Sequence, residues 1–212
     1  MNIFIDHRAR LPEARDQGAR PTCMAFAISD GHTFYRNNTK LLSAEYLFCK
    51  GKQRQLPLNH NDGLYVNTAI DALNVDGQPE EVFFPYQVQA NSTLPVPAVP
   101  FGKPTYHKLL TSNKSGIDQI IQLLDAKQSP VILLKIIDSF FRYKKNDAPI
   151  DTNCTKAHRG NHAVLAVGHA VTTLGARCIL IRNSWGVGWG DGGHGWVSET
   201  YITENLICVL SC

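Results

Sequence analysis

Residues 16–27 read DQGARPTCMAFA, and two later stretches read NHAV over residues 161–164 and RNSWG over residues 182–186. A glutamine, a cysteine, a histidine and an asparagine therefore follow one another along the chain as Gln17, Cys23, His162 and Asn183. Each of these residue types has a separate task in acyl transfer: a thiol attacks, an imidazole moves the proton, one amide orients the imidazole and another binds the oxyanion. The pattern predicts acyl-transfer chemistry through a thiol.

These stretches resemble the motifs of the papain-like cysteine peptidases. The resemblance runs from about Ile5 to Ile202 and includes Phe84-Pro85-Tyr86 and the glycine-rich turn from Trp185 to Trp189. It implies an α+β fold with an N-terminal helical lobe, a C-terminal antiparallel sheet or barrel lobe, and an active site in the cleft between them. It also implies one peptidase domain over residues 1–212, with the helical lobe at about 15–95, the β lobe at 105–205 and residues 1–14 packed on the second lobe.

The resemblance assigns a role to each of the four residues. Cys23 is the expected nucleophile, His162 the general base and acid, and Asn183 the group that orients the imidazole. Gln17 is the expected oxyanion donor, together with the backbone N–H of Cys23. Trp185 is expected to shield the bond between Asn183 and His162 from water. A thiolate at the start of a helix is favoured electrostatically, and no metal or organic cofactor is required.

The substrate-binding prediction involves Gly63, Asp62, Trp185 and Met24. Gly63 lies where papain-like enzymes pair with the substrate backbone, as in strand addition. Asp62 replaces a second glycine of the family, so it either narrows the cleft or attracts a basic side chain, unless it only begins a helix. Met24 replaces the usual tryptophan, and residues 21–22 (Pro-Thr) replace the usual Gly-Ser, so the shape of the pocket is expected to differ from that of other family members.

Composition narrows the classes of partner. The chain has 212 residues, 43% of them hydrophobic, and a formal net charge of +3. It lacks a long basic run and an apolar span, so we expect a peptide or protein substrate and no nucleic acid or membrane partner. The first eight residues lack the apolar core of a signal peptide, which predicts synthesis in the cytoplasm. Delivery outside the cell by a route that needs no signal peptide remains open.

Two expectations concern control and origin. Family members are generally made with an inhibitory pro-segment, whereas here Met1 lies only 15 residues before Asp16. We therefore expect a separate inhibitor or activating partner. The style of the motifs, including the Pro85-Tyr86 pair after Glu80-Glu81, resembles bacterial members more than lysosomal cathepsins.

The six cysteines leave two alternatives open. Arg20 stands where secreted family members have a disulfide-bonded cysteine, and Cys49 has no evident partner, so reduced thiols are favoured. The resemblance nevertheless leaves Cys154 and Cys208 as a disulfide pair to be tested. Cys154, His158 and His162 recur every four residues, a spacing that would align metal ligands on a helix. Their loop-like surroundings argue against that site, and no metal is predicted.

Hydrophobic periodicity predicts the order of the elements. Helices are expected from Cys23 to about Arg36, from Ser43 to Cys49, from Val66 to near Gly77 and over residues 117–124. Strands are expected at 131–134, 163–167 and 178–181. The four prolines of residues 91–104 predict an extended crossover between the lobes, and the region of Cys208 and Cys212 is expected to be a free tail.

Three functions fit these observations. The leading hypothesis is an endopeptidase that forms a covalent acyl-thioester on Cys23. Since the same thioester can form from a glutamine side chain, a deamidase, a transglutaminase-like enzyme or a single-substrate processing enzyme is the alternative. A third reading is a non-catalytic peptide-binding groove, which predicts an ordinary thiol with a pKa of about 8.5.

Overall fold

The computed structural model describes residues 1–37, 39–57, 59, 62–89, 96–100, 103–108, 111–113, 116–152 and 157–211. The helices in these ranges are α1 (Cys23–Tyr35), α2 (Ala44–Arg54), α3 (Val66–Val75), α4 (Ile117–Asp125), α5 (Asp138–Arg142) and α6 (Glu199–Asn205). The strands are β1 (Asn2–Asp6), β2 (Thr111–Asn113), β3 (Val131–Ile136), β4 (Gly160–Val171), β5 (Arg177–Arg182), β6 (His194–Ser198) and β7 (Leu206–Ser211). Helices dominate the first half and strands the second.

All seven of these strands belong to one antiparallel sheet, in the order β2-β7-β3-β4-β5-β6, with β1 also paired to β4. The length of β4 explains this arrangement. Residues 160–165 of β4 pair with β3, whereas residues 168–171 pair with β1 along the same edge. β5 occupies the opposite edge of β4. The long strand therefore holds the N-terminal segment on the sheet.

The two faces of β4 contact two different hydrophobic cores. Ala163, Leu165 and Val167 pack with α1, α2 and α3, whereas Val164 and Ala166 pack with α4 and α6. This division follows from the alternation of side chains along a strand. The arrangement confirms the predicted α+β fold, with a helical part and an antiparallel sheet in contact along β4.

Helix α1 is buried along most of its length, from Met24 to Phe34. A helix that is surrounded by packing partners is typical of the interior of a domain. Its interior also contains a charge, because Asp30 is only 3% exposed. Asp30 accepts hydrogen bonds from Arg15 (2.7 Å) and from Arg182 (2.7 Å), which is the last residue of β5. This charge cluster of Asp30, Arg15 and Arg182 joins the central helix to the sheet.

The structure corrects two predictions about the elements. The region of Cys208 is not a free tail: Cys208 lies in β7, and this strand pairs with both β2 and β3. Helix α2 continues five residues beyond Cys49, to Arg54. The predicted starts of α1, α3 and α4 are confirmed, and α3 ends at Val75, just before Gly77 with its φ of +67°. Half of the proline-rich crossover, residues 91–95 and 101–102, lies outside the described residues.

Within the described ranges, no helix has both the length and the apolar character needed to cross a membrane.

Candidate active site

The three segments that the sequence singled out meet at the junction of α1, β4 and β5. Cys23 is the first residue of α1, His162 lies near the start of β4, and Asn183 directly follows β5. Cys23 is half-buried, whereas His162 and Asn183 are 4% and 2% exposed. The imidazole of His162 lies close enough to the thiol of Cys23 to lower the pKa of that thiol. The fold therefore brings together a thiol, an imidazole and an amide.

The orientation of the imidazole follows from its bond to Asn183. Nε2 of His162 lies 2.7 Å from Oδ1 of Asn183. The backbone N–H of Ser184 donates to the same oxygen at 2.8 Å, which identifies that atom as the amide oxygen. We therefore assign the proton of the neutral ring to Nε2, which donates to Asn183. The unprotonated Nδ1 then faces the thiol of Cys23.

The thiol of Cys23 has an altered acidity. Burial raises its pKa, but a His162 ring that has taken up the thiol proton lowers it by hydrogen bonding and charge, as do the backbone N–H groups of Ala163 and Met24, and the net pKa lies below the ordinary value. The position at the start of α1 acts in the same direction, because the helix dipole favours negative charge there. The site therefore favours the thiolate form of Cys23.

The side-chain amide of Gln17 is fixed from both ends. Its Oε1 accepts a hydrogen bond from Oγ of Ser184 at 2.6 Å, and its Nε2 donates to the backbone oxygen of Arg20 at 2.7 Å. The backbone N–H of Gln17 also donates to the carbonyl of Ser184 at 2.8 Å. A side-chain amide carries two N–H donors, so Nε2 has one more to offer to a bound ligand.

Ser184 is a functional residue that the sequence reading did not single out. Its hydroxyl orients Gln17, while its backbone N–H orients Asn183. The residue therefore links the predicted oxyanion donor to the predicted imidazole partner. Its position next to Asn183 could have indicated a role in the site. Its contact with Gln17 could not be predicted, because Gln17 lies 167 residues away in the chain.

The loop that carries Gln17 and Cys23 is anchored to the helical part. Arg20 forms a buried ion pair with Glu45 of α2, with 2.9 Å between Nη2 and Oε1, and the side chains are 7% and 0% exposed. The hydroxyl of Tyr86 donates to the backbone oxygen of Gln17 at 2.7 Å and bonds to Oγ1 of Thr22 at 2.8 Å. These contacts anchor the nucleophile loop at Arg20, the position at which secreted papain-like peptidases have a disulfide-bonded cysteine.

An aromatic wall flanks the imidazole. The Trp185 ring packs on the His162 ring with 4.7 Å between centroids, and the Phe141 ring stacks on Trp185 at 5.1 Å. Phe140 contacts both His162 and Trp185 edge-on, each at 6.0 Å. The structure thus places Trp185 beside the bond between His162 and Asn183. The two phenylalanines were missed because their α5 segment carried no recognised motif.

The other predicted substrate-binding residues have different surroundings. Gly63 faces the nucleophile loop, since a Cβ atom added there would lie 3.3 Å from the carbonyl oxygen of Pro21. Asp62 is half-buried, and its backbone oxygen accepts a hydrogen bond from Lys52 at 2.8 Å. Met24 is 3% exposed and packs in the core around α1. Its side chain is therefore a core residue of α1 and not part of the cleft surface.

The thiols at Cys23, Cys49, Cys178 and Cys208 are free. Cys154 and Cys212 lie outside the described residues, so the pairing of Cys154 is not described. Nε2 of His162 already bonds to Asn183, which argues against its use as a metal ligand. In the part of the chain that the structure describes, His, Cys, Asp and Glu do not form a group of three suited to a metal ion.

The thiols should differ in reactivity. Burial and the Glu45 carboxylate raise the pKa of Cys49 to about 12, and burial raises that of Cys178 to about 11, whereas the pKa of Cys23 is lowered. Since the thiolate is the nucleophile, brief treatment of the folded chain with iodoacetamide at about pH 6 should alkylate Cys23 and spare the other two. Peptide mapping by mass spectrometry measures the fraction of each cysteine that is alkylated. Equal labelling of Cys49 would contradict the expectation, and Cys23→Ala is the blank.

Comparisons with known proteins agree with this geometry. The model of the papain family of cysteine proteases matches residues 4–208. A cysteine protease of Blomia tropicalis is 27% identical and aligns with 93% of this chain and 61% of its own length. Cysteine proteinase 2 of Entamoeba histolytica is 32% identical, over 87% of this chain and 59% of the relative. The chain thus spans about 60% of the length of these curated relatives.

Solved structures share the fold. The bromelain protease of Ananas comosus in complex with E64 superposes with a TM-score of 0.75, at 21% identity, over 97% of this chain and 96% of its own. The digestive procathepsin L 3 of Tenebrio molitor also gives 0.75 at 21% identity, over 97% and 68%. These four relatives come from eukaryotes, so they do not support the expected similarity to bacterial members. The family match covers nearly the whole sequence, and the chain belongs to the papain family of cysteine proteases.

Proposed function

We propose that this chain is a thiol endopeptidase that hydrolyses peptide bonds through a covalent acyl-thioester on Cys23. The observation that carries the proposal is the placement of three groups: the Cys23 thiol lies beside the His162 imidazole, the imidazole is bonded to Asn183, and the Gln17 amide is fixed by Ser184. A structural cysteine would not need an oriented imidazole and a lowered pKa. The arrangement supports a nucleophile, a proton carrier and an oxyanion donor in one site.

The proposed reaction proceeds in two halves. Cys23 passes its thiol proton to Nδ1 of His162, and the resulting thiolate attacks the peptide carbonyl. The oxyanion that forms accepts hydrogen bonds from Nε2 of Gln17 and the backbone N–H of Cys23. His162 gives its Nδ1 proton to the leaving amine as the C–N bond breaks, which leaves an acyl-thioester. A water molecule then gives its proton to His162 and attacks the thioester, and the Cys23 thiolate leaves.

Asn183 acts through His162 in this scheme. Its oxygen holds the Nε2 proton at 2.7 Å and thereby keeps Nδ1 directed at the sulfur and the leaving group. The ring of Trp185 covers the same side of the imidazole. On the other side of the nucleophile loop, Gly63 is the proposed edge for the acyl part of the substrate. Its lack of a side chain leaves room beside Pro21.

Replacing Gln17 by alanine should lower kcat by roughly 10²- to 10³-fold, with a small change in KM, because an oxyanion donor acts mainly in the transition state. Steady-state kinetics on a fluorogenic peptide measures both constants. Gln17→Glu is the matched control, since it keeps the size of the side chain but removes the N–H donor. Recovery of most activity in Gln17→Glu would contradict the role of the donor.

The proposed function is tested by incubating the wild type and Cys23→Ala with a complex peptide mixture under reducing conditions, from about pH 5 to pH 8. Mass spectrometry reads every new terminus and every change of mass. New termini that require Cys23 are expected, and Cys208→Ala serves as a matched cysteine control that should remain active. Cleavage that persists in Cys23→Ala would contradict the mechanism.

The same experiment distinguishes endopeptidase activity from a second candidate function, which is deamidation or transamidation of a glutamine side chain. The specific observation behind it is Asp62, which stands in place of a family glycine at the edge of the cleft and whose backbone is held by Lys52. A smaller opening there would favour a protruding side chain over an extended backbone. A change of mass at glutamine without chain cleavage would favour this candidate.

A further inference from the structure

A hollow of about 370 Å³ lies next to the aromatic wall of the active site and is lined by Asp138, Phe141, Arg142 and Arg159. We call it the Arg142 hollow. Phe141 connects it to the site, because its ring stacks on Trp185 at 5.1 Å with an angle of 19° between the planes. Trp185 in turn packs on His162 at 4.7 Å. Two successive aromatic side chains, Trp185 and Phe141, therefore lead from the catalytic imidazole to the hollow.

The chemistry of the proposed function decides which part of a substrate reaches this hollow. His162 must give its proton to the leaving amine, so the residue that carries this amine lies beside the imidazole. The acyl part lies on the other side of Cys23, toward Gly63. Residues that follow the scissile bond therefore continue over Trp185 and Phe141, into the Arg142 hollow.

The hollow carries an uncompensated positive charge. Arg159 is paired with Asp138 through two hydrogen bonds, of 2.6 Å from Nε and 3.2 Å from Nη2, so this pair is neutral overall. Arg142 is exposed and has no carboxylate within ion-pair distance in the described ranges, although its charge also helps to lower the pKa of Asp138, so two guanidinium groups share one carboxylate. It also borders a neighbouring hollow that contains Asp147 and Asp151, yet neither carboxylate lies within ion-pair distance of it. Arg142 is therefore available to an anionic ligand.

An apolar surface accompanies this charge. The side chain of Phe141 is 52% exposed although it stacks on Trp185, so one of its faces is open to the hollow. A glutamate or aspartate side chain can pack its methylene groups on such a ring and direct its carboxylate to a guanidinium. Lysine or arginine would be repelled at the same place.

We propose that the Arg142 hollow is a specificity site that selects substrates with an acidic side chain on the leaving-group side of the scissile bond. The inference rests on the proposed function and names a substrate class for it. Phe141 supplies the apolar wall, and the guanidinium of Arg142 binds the carboxylate of the substrate. The neutral Arg159–Asp138 pair lines the rest of the hollow.

The test uses two pools of internally quenched peptides that are randomised on the acyl side. The pools differ in one residue on the leaving-group side, which is glutamate in one and the isosteric, neutral glutamine in the other, placed in turn at each of the first positions. The wild type should cleave the glutamate pool with a kcat/KM about three- to five-fold higher at one of these positions, as expected for an exposed ion pair. Added salt should remove the preference.

Two charge reversals make the test specific. Arg142→Glu should invert the preference in favour of the glutamine pool, whereas Lys144→Glu should keep the glutamate preference. Lys144 is an exposed cation two residues away that does not line the hollow, so both variants change the net charge of the chain equally. Cleavage without a glutamate preference, or a preference that Arg142→Glu leaves unchanged, would overturn the inference and leave the proposed function intact.

A binding measurement tests this inference independently of the proposed peptidase activity. The same pools, labelled with a fluorophore, are titrated with Cys23→Ala and with the double variant Cys23→Ala/Arg142→Glu, and fluorescence polarisation is read. Tighter binding of the glutamate pool that is lost in the double variant supports the hollow even if the wild type cleaves nothing, an outcome that contradicts the peptidase proposal alone. Absence of both cleavage and binding preference would overturn both.

Discussion

Replacing His162 by alanine is expected to lower kcat/KM for peptide hydrolysis by roughly 10⁴-fold or more, a loss comparable to removal of a catalytic base in other triads. The proposed mechanism gives His162 three tasks: it favours the thiolate of Cys23, protonates the leaving amine and activates the water. Two other buried imidazoles are engaged elsewhere, since His169 bonds to Asp125 and His32 to Gln78. Steady-state kinetics measures the loss.

A second measurement on His162→Ala examines the cause of this loss. The hydrogen bond and charge of His162 are the main influences that lower the pKa of Cys23, whereas burial raises it. Without the imidazole, burial should dominate, and the rate of alkylation by iodoacetamide should rise with pH only in the alkaline range. His169→Ala is the matched control and should keep both activity and thiol reactivity. An unchanged pH profile in His162→Ala would contradict the thiolate assignment.

Replacing Asp30 by alanine is expected to lower the free energy of unfolding by about 3–5 kcal/mol. Asp30 is 3% exposed, and the side chain of its partner Arg182 is 1% exposed, so the substitution leaves a guanidinium buried without its carboxylate. Arg15, whose side chain is 12% exposed, also loses this partner. Urea denaturation followed by circular dichroism measures the change. Asp71→Ala, at an exposed position on α3, is the control and should change stability little.

The same charge cluster predicts a pH dependence of stability. Burial raises the pKa of Asp30, but Arg15 and Arg182 together lower it by more than burial raises it. The folded-state pKa therefore lies below the usual value. A lowered carboxyl pKa contributes stability that is complete above the unfolded-state pKa of about 3.9 and is lost as the pH falls through the folded-state value. The difference in stability between the wild type and Asp30→Ala should therefore be constant near neutral pH and shrink below about pH 4. A difference that grows on acidification would contradict this assignment.

The sequence predicted much of the fold because apolar spacing reports local structure. The starts of α1, α3 and α4 followed from the repeat of apolar residues, and the cores of β3, β4 and β5 from short β-branched runs. The end of α2 was missed, since residues 50–54 are mostly charged and resemble a loop. Lys52 is nevertheless buried, and its ammonium donates to the backbone oxygens of Asn59 and Asp62 at 2.6 and 2.8 Å. Such a contact depends on tertiary structure and leaves no periodic signal.

β7 was missed for a similar reason. Residues 206–211 lie at the end of the chain, where a free tail is common, but the exposed edge of β3 offers them a row of backbone partners. The pairing of distant strands is a long-range property that no local window contains.

The same distinction between local patterns and long-range contacts applies to the candidate site. Gln17, Cys23, His162 and Asn183 could be predicted from motifs, because a motif records which residue types occur at which spacing. Ser184 and Arg20 could not be given their roles, since each acts through a side-chain bond to a residue outside its own motif. Met24 was misplaced because residue identity beside a nucleophile does not show which side of a helix it occupies.

The ion pair between Arg20 and Glu45 has a consequence for how this protein responds to reducing agents. A thiol nucleophile needs reductant to stay active, and reductant would also break any disulfide that held the nucleophile loop. Here the loop is held by charge and hydrogen bonds, and Cys49, close to Glu45, carries a free thiol. Dithiothreitol should therefore restore an oxidised Cys23 without loosening this loop. Redox conditions would then control turnover and leave the architecture around the nucleophile unaffected.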